Sequence, residues 1–403
     1  MPQPPFPDFY PPRRHAWFVY LVQQIAALVG HWHYRFHLVT PPEGLERLRS
    51  LRHQRLLLLP NHPTFHDPAA IFVLSARLGF PCYYLSAHEP FRSSLGVWLQ
   101  RLGGYSIRRG MADRASIAQT LELLTQPTCK LVIFAEGGCS FQNDTVMPFR
   151  SGAIQMAFQA MQRLVRQGQP LPDLYAVPIS LKYRYTQDMT AVIDQSLIAL
   201  EQALYLTAKG DFYERLRAVA AQILLVCEQN YGLANALDLE NWDWDQRVAR
   251  LKTYILEGCE HQLGLTATLG ECDRDRTYRI QAALADWNPP HNVEVQWTPT
   301  AIAKAASRVL NFDAIYDGYV AANPTPERFL DTLIRFEREV FNIDQPRPKG
   351  QRQVCLHIAE PLNLKDWFPD YQQHRSRTIT TLTDKIHQTV QHHLEQSLTQ
   401  AEC

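Results

Sequence analysis

The chain has 403 residues, 46% apolar and 20% charged, enough to bury a large core in one elaborated domain or two. Lys plus Arg and Asp plus Glu number 40 each, which excludes a global field that draws in nucleic acid or an acidic membrane; any such attraction must come from a local patch. Eight cysteines without one Cys-x-x-Cys pair point away from a zinc ribbon or a thioredoxin-like redox motif.

Met1–Pro12 is rich in proline and carries one charge, Asp8, unlike a cleavable secretory signal, so the cytosol with reduced thiols is the expectation. Trp17–Val29 (WFVYLVQQIAALV) is apolar apart from Gln23 and Gln24, and too short for the ~20 residues a membrane span needs. The aromatic, histidine-rich stretch His31–Val39 follows, a composition that favours the water–lipid boundary. By itself the run fits a core helix equally well.

Arg55–Leu59 (RLLLL) reads as a buried strand that stops at Pro60-Asn61. Asp67-Pro68 predicts a helix start, with Asp67 as N-cap, continuing through Ala69–Leu78. Pro81–Ser86 is a second strand, Ser94–Leu102 a short helix and Tyr105–Arg108 an extended piece. Arg114–Leu124 has helical spacing, Lys130–Phe134 is a buried strand, Ser151–Val165 a helix and Ala176–Tyr183 another strand. Strands alternating with helices predict an α/β fold: a mixed, mostly parallel sheet flanked by helices. From Ser196 to about Asn342 the pattern is helical, broken at Gly232, Gly264, Gly270 and Pro289-Pro290. Gln345–Gly350 (QPRPKG) reads as a linker, and strand character returns at Gln353–Ile358. Ile379, Leu382, Ile386, Val390, Leu394 and Leu398 then mark a final amphipathic helix.

Three segments carry chemistry. In Asn61-His62-Pro63-Thr64-Phe65-His66-Asp67, a neutral His62 could take a proton from a hydroxyl while Asp67 fixes its tautomer. Five residues apart on a regular helix, the two would lie ~140° from each other, so pairing needs the chain to turn between them. Read alone, the pattern fits an ordinary loop histidine better. Gly103 through Gly110 carries Arg108-Arg109, which could clamp a phosphate bidentately or simply decorate a solvated edge. Phe134-Ala135-Glu136-Gly137-Gly138-Cys139-Ser140, followed by Pro148-Phe149-Arg150-Ser151-Gly152, sets a carboxylate at the carboxyl end of a strand, where open α/β sheets bind ligands. An ordinary turn with Glu136 in solvent is the alternative.

In order and spacing these segments, with Val177-Pro178-Ile179 downstream, resemble the four sequence blocks of the glycerolipid acyltransferase family, which contains lysophosphatidate and glycerol-3-phosphate acyltransferases. The likeness covers roughly residues 40–185. It implies transfer of a fatty acyl group from acyl-CoA or an acylated carrier protein to a glycerolipid-like hydroxyl, without cofactor, metal or covalent intermediate. His62 and Asp67 would be catalytic; Arg108, Arg109, Glu136, Gly137 and Arg150 would bind the acceptor. Ala135, Gly138 and Cys139 depart from the family's proline, threonine and arginine, and the last weakens the case for a phosphorylated acceptor.

The resemblance also implies four regions: a membrane-interface segment over 1–40, a catalytic core over 41–190, a helical insertion over 191–350, and a closing strand and helix over 351–403. The protein would sit peripherally on the cytoplasmic face of a membrane, partnered by acyl donor, lipid acceptor and lipid surface rather than nucleic acid. Two alternatives remain: a non-enzymatic lipid-binding protein on the same fold, and a metal-dependent hydrolase using His62, His66 and Asp67.

Overall fold

A computed structural model describes residues 7–207, 209–234, 242–266, 270–285, 287, 297–313 and 315–399. Its strands are β1 (Phe36–Val39), β2 (Arg55–Pro60), β3 (Tyr83–Ala87), β4 (Gly104–Ile107), β5 (Lys130–Val132), β6 (Leu174–Tyr185), β7 (Arg352–Ile358) and β8 (Leu362–Asn363). They form one sheet in the order β1-β7-β6-β2-β5-β3-β4, with β8 paired to β6. Neighbours run parallel except where β6 meets β7 and β8. The predicted mixed, mostly parallel α/β sheet is therefore present.

The four leucines of β2 show why a buried strand reads as a continuous apolar run. Successive side chains point to opposite faces of a sheet, and both faces are covered here. Leu57 and Leu59 join one core with Leu131, Phe158, Met161 and Leu382. Leu56 and Leu58 join the other with Ile71, Leu74, Val177 and Val354. The helices that cover these faces are α1 (Ala16–Trp32), α2 (Pro42–Ser50), α3 (Asp67–Leu78), α4 (Leu95–Arg101), α5 (Arg114–Thr125) and α6 (Gly152–Arg166), then α14 (Phe368–Gln373) and α15 (Arg375–Thr399) after the intervening α7–α13. Buried Phe158 stacks on Tyr371 of α14 with ring centroids 4.4 Å apart.

The chain divides into two compact units. One comprises Met1–Arg108, Asp113–Thr186 and Gly350–Cys403; the other comprises Arg109–Ala112 and Gln187–Lys349. The second is helical: α7 (Thr190–Ala203), α8 (Phe212–Asn230), α9 (Trp244–Leu263), α10 (Asp273–Ala285), α11 (Pro299–Phe312), α12 (Tyr319–Ala322) and α13 (Pro326–Phe341). Its interior holds ion pairs among apolar residues: buried Glu260 accepts from both Arg276 and Arg279, and Arg308 pairs with Glu339 at 2.7 Å. The short Arg109–Ala112 segment is anchored there by glycine. Gly110 has φ +77°, and a Cβ on it would come within 2.2 Å of the Tyr278 backbone.

Two sequence expectations change. Residues 36–39, read with the preceding aromatic stretch as interfacial, form an edge strand paired with β7, and Phe36 and Leu38 are buried. Asp67 is the first helical residue rather than the N-cap, and its carboxylate reaches back into the preceding loop. Pro289-Pro290 and the side chain of Leu398 lie outside the described residues.

Candidate active site

Register sets the site. In β2 and β5, adjacent and parallel, Leu58 pairs with Val132. His62 and Glu136 each follow these partners by four residues, so both emerge at the carboxyl edge of the sheet. There the Glu136 carboxylate, 2% exposed, accepts the backbone N–H of His62 at 2.5 Å on Oε1 and that of Met147 at 3.0 Å on Oε2. Glu136 thus ties the histidine loop to the loop that leads into α6. Ser140 strengthens the same tie: its N–H donates to the His62 carbonyl at 2.8 Å and its hydroxyl approaches that oxygen at 3.3 Å.

The turn required between His62 and Asp67 is made by Thr64. Its N–H donates to Asp67 Oδ2 at 2.9 Å, and its hydroxyl donates to Oδ1 at 2.8 Å and accepts the His66 N–H at 3.1 Å. Because α3 starts only at Asp67, His62 stays in the loop and folds back, placing its Nδ1 2.7 Å from Asp67 Oδ2. The imidazole lies against the Phe134 ring with centroids 4.4 Å apart. With Nδ1 committed to Asp67, Nε2 is the nitrogen left to take a proton from a substrate hydroxyl. Asn61 fastens the start of the loop, exchanging two hydrogen bonds with the Leu181 backbone in β6.

Arg150 comes next to this cluster. Gly137 has φ +75°, and a Cβ there would lie 2.2 Å from Arg150 Nε, so the glycine makes room for the guanidinium. Arg108 is engaged elsewhere, donating to Asp8 at 3.0 Å and accompanied by Asp113 at 3.9 Å. Arg109 belongs to the helical unit, where its guanidinium lies 4.2 Å from the Tyr278 ring centroid. Of the residues singled out in sequence, the structure gathers His62, Asp67, Glu136, Gly137 and Arg150 at one sheet edge.

His66, one residue before Asp67, faces the other way. Its Nδ1 accepts from Arg352 at 3.2 Å, and its pKa is pushed down to about 4, first by burial and then by the Arg352 charge. A ring nitrogen turned toward a guanidinium is poorly placed to bind a metal ion. Among the described residues no three His, Cys, Asp or Glu side chains are grouped to hold one.

Residues 42–182 match the family model described as Acyltransferase. That segment is an acyltransferase domain. Such a domain implies an enzyme that transfers acyl groups between a donor and an acceptor. No curated protein matches the chain. Within the acyltransferase segment fall His62, Asp67, Arg108, Arg109, Glu136, Gly137 and Arg150. Two groups at the site fall outside it and have no local sequence signal: Tyr183, whose hydroxyl donates to Asp67 Oδ1 at 2.7 Å, and Arg352, beside His66.

Proposed function

We propose that the protein moves a fatty acyl group from acyl-CoA or an acylated carrier protein to the hydroxyl of a glycerolipid-like acceptor of the lysophosphatidate type. The observation that carries this reading is the 2.7 Å His62–Asp67 pair at the sheet edge of an acyltransferase segment. His62 Nε2 takes the acceptor's hydroxyl proton as the oxygen attacks the thioester carbonyl. The tetrahedral oxyanion collapses, the C–S bond breaks, and the imidazolium returns the proton to the departing thiolate. Asp67 holds the tautomer and stabilises the imidazolium. No acyl-enzyme forms, in keeping with a Ser140 hydroxyl that already approaches the His62 carbonyl.

Arg150, beside Gly137, is the first choice for a headgroup phosphate. Gly137 leaves the space that the Arg150 side chain occupies, and Glu136 acts chiefly by fixing the two loops it bonds. The acceptor is reached from a membrane surface. Among the described residues no helix is long and apolar enough to cross a membrane. Helix α1 instead turns two faces to different surroundings. Val19, Gln23, Ala26 and Gly30 face the fold, and Gln23 donates to Ser75 at 3.0 Å. Trp17, Leu21, Leu28 and Trp32 are 70%, 59%, 60% and 75% exposed. Phe18 meets Trp98 of α4, which adds exposed Leu95 and Val97 to the same apolar surface. A contiguous apolar face rimmed by tryptophan suits a lipid interface.

Thioester release from palmitoyl-CoA, measured with lysophosphatidate, glycerol 3-phosphate, monoacylglycerol and a long-chain alcohol as acceptors, tests the reading. Release dependent on a glycerolipid acceptor supports it. Release with none of the glycerolipids but with another hydroxyl compound overturns the acceptor class.

A further inference from the structure

Two side chains from beyond the acyltransferase segment close on the dyad. Tyr183 of β6 donates its hydroxyl to Asp67 Oδ1 at 2.7 Å. Burial above all, with Asp67 adding to it, raises the tyrosine's pKa well above its usual value, so it remains a donor. Arg352 opens β7, directly opposite Tyr185 in the antiparallel pair, which makes it the diagonal neighbour of Tyr183 on the same face. Its guanidinium carbon lies 4.7 Å from the Tyr183 ring centroid. Its Nη2 donates to the Tyr34 carbonyl at 3.1 Å and to His66 Nδ1 at 3.2 Å.

Arg352 is 5% exposed, and among the described residues no carboxylate pairs with it. A buried cation without a counter-ion is costly, so its place needs a reason. Asp67, bonded to the hydroxyl of the same tyrosine, is fully buried, and among the described residues no cation pairs with it beyond His62 when that is protonated. Each charge is what the other lacks.

Resting on the reading of His62 as the base, we propose that Tyr183 and Arg352 are positioning residues of the dyad. The Tyr183 hydroxyl fixes Asp67 Oδ1. The Arg352 guanidinium, packed over Tyr183 and bonded to His66, holds the tyrosine ring in place and supplies a positive charge on the Asp67 side of the site. The groups facing this pair are His66 on its own loop, Tyr183 from β6, Arg352 from β7 and Glu136 behind the His62 backbone, with His33 and Tyr34 on the far side of His66. Removing the donor or the cation leaves Asp67 less compensated. The His62–Asp67 pair then binds a proton more readily, and the histidine titrates at higher pH.

Histidine-ring NMR titration of the full-length protein reads this without a substrate; the His62 signal is identified as the one missing from His62→Ala. Tyr183→Phe, which keeps the ring, and Arg352→Gln should each raise the titration midpoint of His62 by about one pH unit. Arg352→Lys, which keeps the charge, should stay near the wild-type value. A His62 midpoint unmoved in Tyr183→Phe and in folded Arg352→Gln overturns the proposal; if Arg352→Gln does not fold, the isosteric tyrosine variant alone decides it. Undiminished thioester release from palmitoyl-CoA by His62→Ala would instead overturn the base assignment on which the proposal rests, so the two failures are distinguishable.

Discussion

Asp67 receives hydrogen bonds on both oxygens from His62, Thr64 and Tyr183, so its charge is oriented before any substrate arrives. The arginines divide differently from their order in the chain. Arg150 lies against Gly137 at the sheet edge, whereas Arg109 stacks on Tyr278 within the helical unit. Arg150→Ala should therefore raise KM for lysophosphatidate by ~10-fold or more while changing that for monoacylglycerol little, since a hydrogen bond to a charged group is worth ~1.5–3 kcal/mol. Equal changes for both acceptors would show that Arg150 does not read phosphate. His66 makes a prediction about stability. Its folded pKa is depressed to about 4 from 6.5, so between these values the unfolded chain binds a proton that the folded protein does not. Its contribution to stability is complete above about pH 6.5 and is lost as pH falls toward 4. Urea midpoints measured from pH 7 to 4 should decline, and His66→Asn should flatten the decline.

At the scale of elements, α1 separates its two roles by face. The side that meets the fold is small and polar where it bonds Ser75, and the opposite side carries large apolar residues. A Trp17→Glu, Leu21→Glu, Leu28→Glu triple variant should fold as wild type by circular dichroism and lose most of its flotation with phosphatidylcholine–phosphatidylglycerol vesicles. Undiminished flotation would remove the interface from α1. The apolar content of this helix was legible in the sequence, because a continuous run such as Trp17–Val29 needs no tertiary information to be read. The strand β1 was not: FHLV is four residues long, interrupted by histidine, and becomes a strand only through β7, more than 300 positions away. The site shows the same contrast. His62 and Asp67 were visible because they lie five residues apart in one short segment. Tyr183 was one aromatic in an apolar strand, and Arg352 one charge after a proline-rich stretch. Their convergence depends on the β6–β7 register, which no local pattern encodes.

For the whole molecule, β6 lies between β2 and β7, and β7 arrives only after the helical stretch. We read residues 191–350 as an insertion within a catalytic domain that closes over 351–403. A chain cut at residue 190 would lack β7, β8, α14 and α15, leaving one edge of β6 unpaired and the face beside Phe158 uncovered. Such a truncation should be insoluble; a soluble, active fragment would contradict the insertion reading. Every step of the proposed transfer depends on His62. Initial rates of thioester release from palmitoyl-CoA to lysophosphatidate, compared for wild type, His62→Ala, Asp67→Asn and His66→Ala at matched folding, test it most directly. Losses of ~10²–10⁴-fold are expected for His62→Ala and nearly as much for Asp67→Asn, with His66→Ala retaining most activity. An active His62→Ala beside an inactive His66→Ala would contradict the assignment of the base.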